Sequence, residues 1–243
     1  MKNRKEMNIG IALFVSFFVV LFLMWSPLFG TDSEGNKLNA FHAADNLFNS
    51  ISKGSSYFID DLKQSNQPYI GSSPVQLALE LPDEQTATVA AQVLARHDVQ
   101  VDRQGTSLDV QGDLGRILEE TIEDSKSMYN NQGGEVAQRY DMQEQDARQI
   151  MYAWYRTLQA MEKSLYDQEE FALGKHVVTV ISKGVEVGYN FYTIEAQSSA
   201  SKAGILTFSL VFYVAYTLWW GLAIFYLFEG FGLKMTKGHK KEA

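Results

Sequence analysis

The chain contains no cysteine and only four prolines. Without thiols it can build neither a disulfide framework nor a thiolate metal site, and it has no cysteine nucleophile. A domain of this kind placed outside the cytoplasm must hold together by its core, its anchors or its partners. Histidine is scarce as well, with four residues at 42, 97, 176 and 239 and none at metal-ligand spacing from another. There is no H-E-x-x-H, no Glu three residues before a His, no phosphate-binding or dinucleotide glycine loop and no G-x-S-x-G. These absences leave no catalytic, cofactor-binding or metal-binding residue to assign and no cofactor to expect, and they weigh against an enzyme.

Charge is missing from two blocks. No Asp, Glu, Lys or Arg occurs between Met7 and Thr31 or between Ala203 and Phe228. Residues 9–29 and 204–228 are each long enough to cross a hydrocarbon core that needs about 20 apolar residues in a helix. Neither contains histidine, which excludes ordinary histidine-ligated haem b within these spans. The first block exceeds the apolar core of a secretory signal and is followed by no small-residue cleavage site, so it reads as a retained span closed by Trp25. In the second, Tyr213, Tyr216, Trp219 and Trp220 lie deeper than interfacial anchors require, and Gly204, Ala215, Gly221 and Ala223 would admit a neighbouring helix. Two spans are too few for a many-helix transporter, and the length excludes a large two-domain enzyme or a porin-like barrel.

Positive charge sets the expected orientation. Lys2, Arg4 and Lys5 flank the first span, and Lys234, Lys237, Lys240 and Lys241 follow the second, which predicts that residues 1–8 and 229–243 face the cytoplasm. Residues 30–203 would then lie in the periplasm. They hold 26 of the 29 acidic residues against 14 of the 21 basic ones, a net charge of about -12. Nucleic acid is not an expected partner of such a domain; the bilayer, other proteins through their helices, or a second copy of the chain are.

Within the domain, apolar positions from Phe41 to Leu62 follow a helical period that Asn39 can cap. Residues 75–131 read as a small α+β module: a strand at Val75 to Leu81, a helix opened by Pro82 and Asp83 and running to about His97, a hairpin around Gln104 and Gly105, and a helix begun by Asp113. A coiled-coil-like seam through Val136, Ile150, Trp154, Leu158, Met161 and Leu165 predicts one long helix over 135–173, packed within the chain, with the Phe41 helix offering a similar stripe. Within the membrane-proximal segment 175–197, residues 176–194 mix strand-favouring valines with helical spacing and are taken as helix. Its Ile181–Gly184 sequence repeats Ile51–Gly54, which predicts two helices packed through Gly54 and Gly184 with Lys53 and Lys183 ending in water.

Acidic groups at Glu119, Glu120, Glu123 and Asp124, at Asp60 and Asp61, and at Glu169 and Glu170 read as solvated helix faces, the first being the best place for a divalent cation. His97 would favour a helix C-terminus. The fold class expected is membrane-anchored α+β: two terminal transmembrane helices flanking a helix-rich extracytoplasmic domain with a small three-stranded sheet and a long coiled-coil-like helix. This layout resembles that of the polysaccharide chain-length regulators. Their proline- and glycine-rich motif is absent here, because the second span has no proline, and no functional residue is carried over. The function expected is a non-catalytic structural or assembly subunit of a bacterial inner-membrane or cell-envelope complex. A sensory module acting through a separate cytoplasmic partner, or a regulator of the chain-length type, is the alternative.

Overall fold

The computed structural model describes residues 3–32, 35–95 and 99–233. Two compact units emerge from one chain: residues 52–196 form the first, and the second joins residues 1–51 to 197–243.

In the domain unit the expected strand, helix, hairpin and helix appear in order: β1 (Pro74–Glu80), α4 (Glu84–Leu94), β2 (Gln100–Gln104), β3 (Ser107–Asp113) and α5 (Leu114–Tyr129). The antiparallel sheet has the order β1-β3-β2, with Leu77 opposite Val110 and Leu79 opposite Leu108. Alternation decides which face is buried: Leu77, Leu79, Leu108 and Val110 enter the core, while Gln76, Glu80, Ser107 and Asp109 stay in solvent. Gly105 turns the hairpin at φ +65°. Both helix starts use the residues that the sequence marks. Asp83 accepts from the Thr86 N–H at 2.7 Å, and Asp113 accepts from Arg116 N–H at 3.0 Å while also holding the Gly71 and Ser73 amides. His97 lies outside the described residues.

The stretch 135–173 is not one helix. It divides into α6 (Gly133–Arg139), α7 (Ala147–Asp167) and the start of α8 (Phe171–Val180). Asp141 and Glu169 take the left-handed backbone conformation, at φ 56° and 63°, and end the helical runs before them. The seam Ile150, Trp154, Leu158, Met161 and Leu165 is buried as expected. Its cover is α4, β1 and α8, elements of different type and length, rather than a matching long helix or the Phe41 helix.

Residues 176–191 are helical, as read, and the helix stops at Phe191, short of the expected end at 194. α8 passes through a π-helical turn at Ile181–Val185 into α9 (Glu186–Phe191). The Phe41 pattern divides at Tyr57 into α2 (Ala40–Ser55) and α3 (Ile59–Asn66), and Asn39 caps α2 by accepting from the His42 N–H at 2.9 Å. The two similar four-residue sequences therefore differ in backbone, one α-helical and one π-helical. Gly184 meets Leu62 and Ser125 instead of the first copy.

The terminal unit contains α1 (Arg4–Trp25) and α10 (Ala203–Gly230), the two helices long and apolar enough to cross a membrane. They pair antiparallel. A Cβ on Gly10 would fall 2.6 Å from the Leu227 amide nitrogen, and one on Gly230 would fall 2.6 Å from Met7 Cα, so both glycines are required by close backbone approach. Between them Phe17 stacks on Tyr216 at 4.2 Å, Trp220 packs 4.7 Å from Phe17, and Trp219 donates its indole N–H to the Leu13 carbonyl at 3.1 Å. Of the interior aromatics of the second span, Tyr216, Trp219 and Trp220 thus serve contact within the chain, and Tyr213 does not. Of the four small residues noted there, Ala223 is buried, while Gly204 and Gly221 face open space.

A histidine ties three helices of the domain together. Asn66 donates its amide to the Gly115 carbonyl at 2.7 Å, which leaves its oxygen to accept from Nε2–H of His176 at 3.0 Å, and Tyr69 stacks on the ring at 4.3 Å. Burial holds the His176 pKa below its ordinary value. The folded state therefore favours the neutral ring, a contribution present above about pH 6.5 and lost as pH falls through the lower folded value. Chemical denaturation of the full chain in detergent should show stability declining as pH falls below about 6.5, and His176→Gln should flatten that part of the profile. An unchanged slope in the variant would contradict this assignment.

Candidate functional site

The acidic run on α5 does not form one face. Asp124 is fully buried, which overturns its reading as part of a solvated surface. Its Oδ2 accepts from the Tyr140 hydroxyl at 2.5 Å and from Nε1–H of Trp154 at 2.8 Å, and its Oδ1 accepts from Arg139 at 2.7 Å. Arg139 also donates to the Ser127 hydroxyl at 2.8 Å. Desolvation raises the Asp124 pKa, opposed by these three donors and the Arg139 charge. The same burial, with the carboxylate alongside, raises that of Tyr140. Glu123 turns away to pair with Lys63. No group of three or more His, Asp or Glu side chains converges as a metal site among the described residues.

Lys53 was expected to end in water and does not. It is 3% exposed, and its ammonium donates to the carbonyls of Phe191 at 3.1 Å and Ile194 at 2.5 Å and to Asn131 Oδ1 at 3.1 Å. The Tyr129 ring lies 4.9 Å away, and its hydroxyl donates to the Lys53 carbonyl. Burial lowers the Lys53 pKa, with Glu195 pulling the other way. Asn131 and Thr193, both at positive φ, shape the two loops that supply these acceptors. All three donors of the ammonium are used, which makes Lys53 a strut between segments and not a free base. Lys183 instead rests 5.6 Å over the Phe58 ring.

A concavity in the domain with a volume of about 320 Å³ is lined by Tyr152 and Tyr155 of α7, Val185 of the π turn, and Glu186, Tyr189 and Asn190 of α9. Glu186 and the three tyrosine hydroxyls have no hydrogen-bond partner among the described residues. Arg148 covers the Tyr189 and Tyr192 rings at 5.7 and 5.4 Å. Aromatic walls beside one carboxylate can hold a small ligand through ring faces and a single ionic contact. Sequence reading missed this site, since its residues come from two segments about 30 positions apart. The visible signal was the Tyr152 and Tyr155 pair on the otherwise polar side of the α7 seam. No known protein family, curated protein or solved structure matches the chain.

The geometry gives Asp124 a structural role. Asp124→Ala should destabilise the folded domain by about 3–5 kcal/mol, because it leaves buried Tyr140 and Trp154, and half-buried Arg139, without this acceptor. Glu119→Ala, by contrast, should change stability by no more than about 0.5 kcal/mol. Equilibrium unfolding followed by near-UV circular dichroism distinguishes the two. Equal effects would contradict the division of the acidic run.

Proposed function

We propose that the chain is a non-catalytic, two-pass subunit of a bacterial inner-membrane or cell-envelope complex, with residues 52–196 outside the cytoplasm. The observation that carries this is Tyr213. It lies ten residues into the 28-residue α10, about 15 Å along the axis at 1.5 Å per residue, and 69% of it is exposed. Its hydroxyl has no partner among the described residues. At that depth in hydrocarbon, an unpaired hydroxyl costs on the order of 1–3 kcal/mol, and a polar group on an adjoining membrane helix removes that cost. Leu210, one turn before it on the same face, is also exposed, which supplies an apolar surface for the same neighbour.

The tyrosine-lined cavity favours a second reading, a sensory module. Two of its walls follow directly on the π-helical turn of residues 181–185, and π turns within helices recur at functional sites. A ligand there would bear on the helical path from α8 to α9.

A photoreactive amino acid at Tyr213, activated in native membranes, should give a covalent adduct with another protein of defined mass. The same probe at Phe17, which α10 covers, should link only within the chain. Native mass measurement after mild-detergent extraction should show the matching complex. Lipid adducts alone at position 213, together with a strictly monomeric mass, would contradict the subunit proposal.

A further inference from the structure

Helix α2 leaves both phenylalanines of its apolar side exposed. Projected at 100° per residue, Phe41, Ala44, Leu47, Phe48 and Ile51 share one arc, and His42, Asn46, Asn49 and Lys53 share the opposite one. The polar arc is where the helix is tied down. The Ser50 carbonyl accepts from Gln197 N–H at 2.9 Å, and Lys53 is buried among carbonyls. Phe41 and Phe48 are 42% and 47% exposed, beside half-buried Ala44, Leu47 and Ile51, while His42 and Asn46 on the polar arc are exposed as well, so the helix presents one apolar and one polar exposed surface.

The start of α2 is fixed beside the end of α1. The linker folds back on itself, with Phe29 N–H donating to the Leu38 carbonyl and Leu38 N–H donating to Gly30, both at 2.9 Å. Phe41 then meets Trp25, the last residue of the apolar helix, edge to face at 5.8 Å. Trp25 itself is 69% exposed and Leu28 is 70% exposed, so the exposed apolar end of α1 meets the start of α2 at the Trp25–Phe41 contact, across a polar linker. Only Asp45 on this helix is both charged and exposed, which rules out binding led by attraction to charged headgroups.

From this we infer that α2 lies along the bilayer surface outside the cytoplasm, its Phe41, Ala44, Phe48 and Ile51 face sunk into the boundary between headgroups and acyl chains. The occupant of the exposed face is lipid. Helices of this type bury their apolar side about 5–10 Å into that boundary. The inference rests on α1 and α10 crossing the membrane, and its consequence is a second attachment that fixes the angle at which the chain leaves α1.

The test uses the cysteine-free full chain reconstituted in phosphatidylcholine vesicles. Single cysteines at Ala44, Phe48, Asn46 and, as a control within α10, Val214 carry an environment-sensitive fluorophore. Labels at 44 and 48 should be quenched several-fold more strongly by a nitroxide on the upper acyl chain than by aqueous iodide, and the label at 46 should show the opposite preference. Ala44→Cys retains both phenylalanines, so a disturbance caused by replacing Phe48 cannot decide the result. If Val214 is quenched by lipid while 44 and 48 respond to iodide, the inference is overturned and the spans stand. Shielding of 44 and 48 from both quenchers would also overturn it, showing a protein over this face. A Val214 label that lipid does not quench would remove the membrane reading and the inference together.

Discussion

A carboxylate without solvent contact is tolerated only when other groups replace water, and the domain is arranged around meeting that demand at Asp124. Arg139 supplies the opposite charge, and Tyr140 and Trp154 supply neutral donors. These three come from the end of α6, the loop after it and the middle of α7, so satisfying one side chain of α5 fixes the relative positions of four segments. The break between α6 and α7 follows from the same demand. A continuous helix would set residues 139 and 140 about 100° apart, whereas the observed turn, with Asp141 in the left-handed region, delivers both to one carboxylate.

Lys53 makes a complementary junction with opposite charge. Carbonyl oxygens of the loop after α9, together with Asn131, replace its hydration shell. The two junctions follow one another at the C-terminal end of α5: Asp124 joins its last turns to α6 and α7, and Tyr129 and Asn131 carry the connection to Lys53 at the end of α2. Buried polar junctions of this kind contribute more to a unique arrangement than to net stability. The greasy part of the core, from Leu77 and Leu108 of the sheet to Trp154 and Met161 of α7, supplies the burial energy.

Much of this could be read from local pattern. Alternation gave the strands, capping residues Asn39, Asp83 and Asp113 gave three helix starts, and uncharged length gave α1 and α10. Each of these signals resides in a few consecutive residues. What escaped depends on contacts distant in sequence. Asp124 looked like its acidic neighbours because its donors lie 15 to 30 residues away, and Lys53 looked solvated because its acceptors lie 78 to 141 residues away. The left-handed Asp141 and Glu169 carry no glycine to mark them. Gly10 and Gly230 were passed over in favour of small residues further inside α10, since only the pairing of the two helices reveals where their backbones touch. The cavity between Tyr152 and Tyr189 was hidden for the same reason.

The account as a whole depends on α1 and α10 forming a membrane hairpin with both chain ends on one side and residues 52–196 on the other. Single cysteines at Asn3 and Ser107, both exposed, test it directly with a membrane-impermeant maleimide in sealed right-side-out vesicles. The account predicts labelling of Ser107 at once and of Asn3 only after the vesicles are permeabilised. Equal labelling of both positions in sealed vesicles would contradict it.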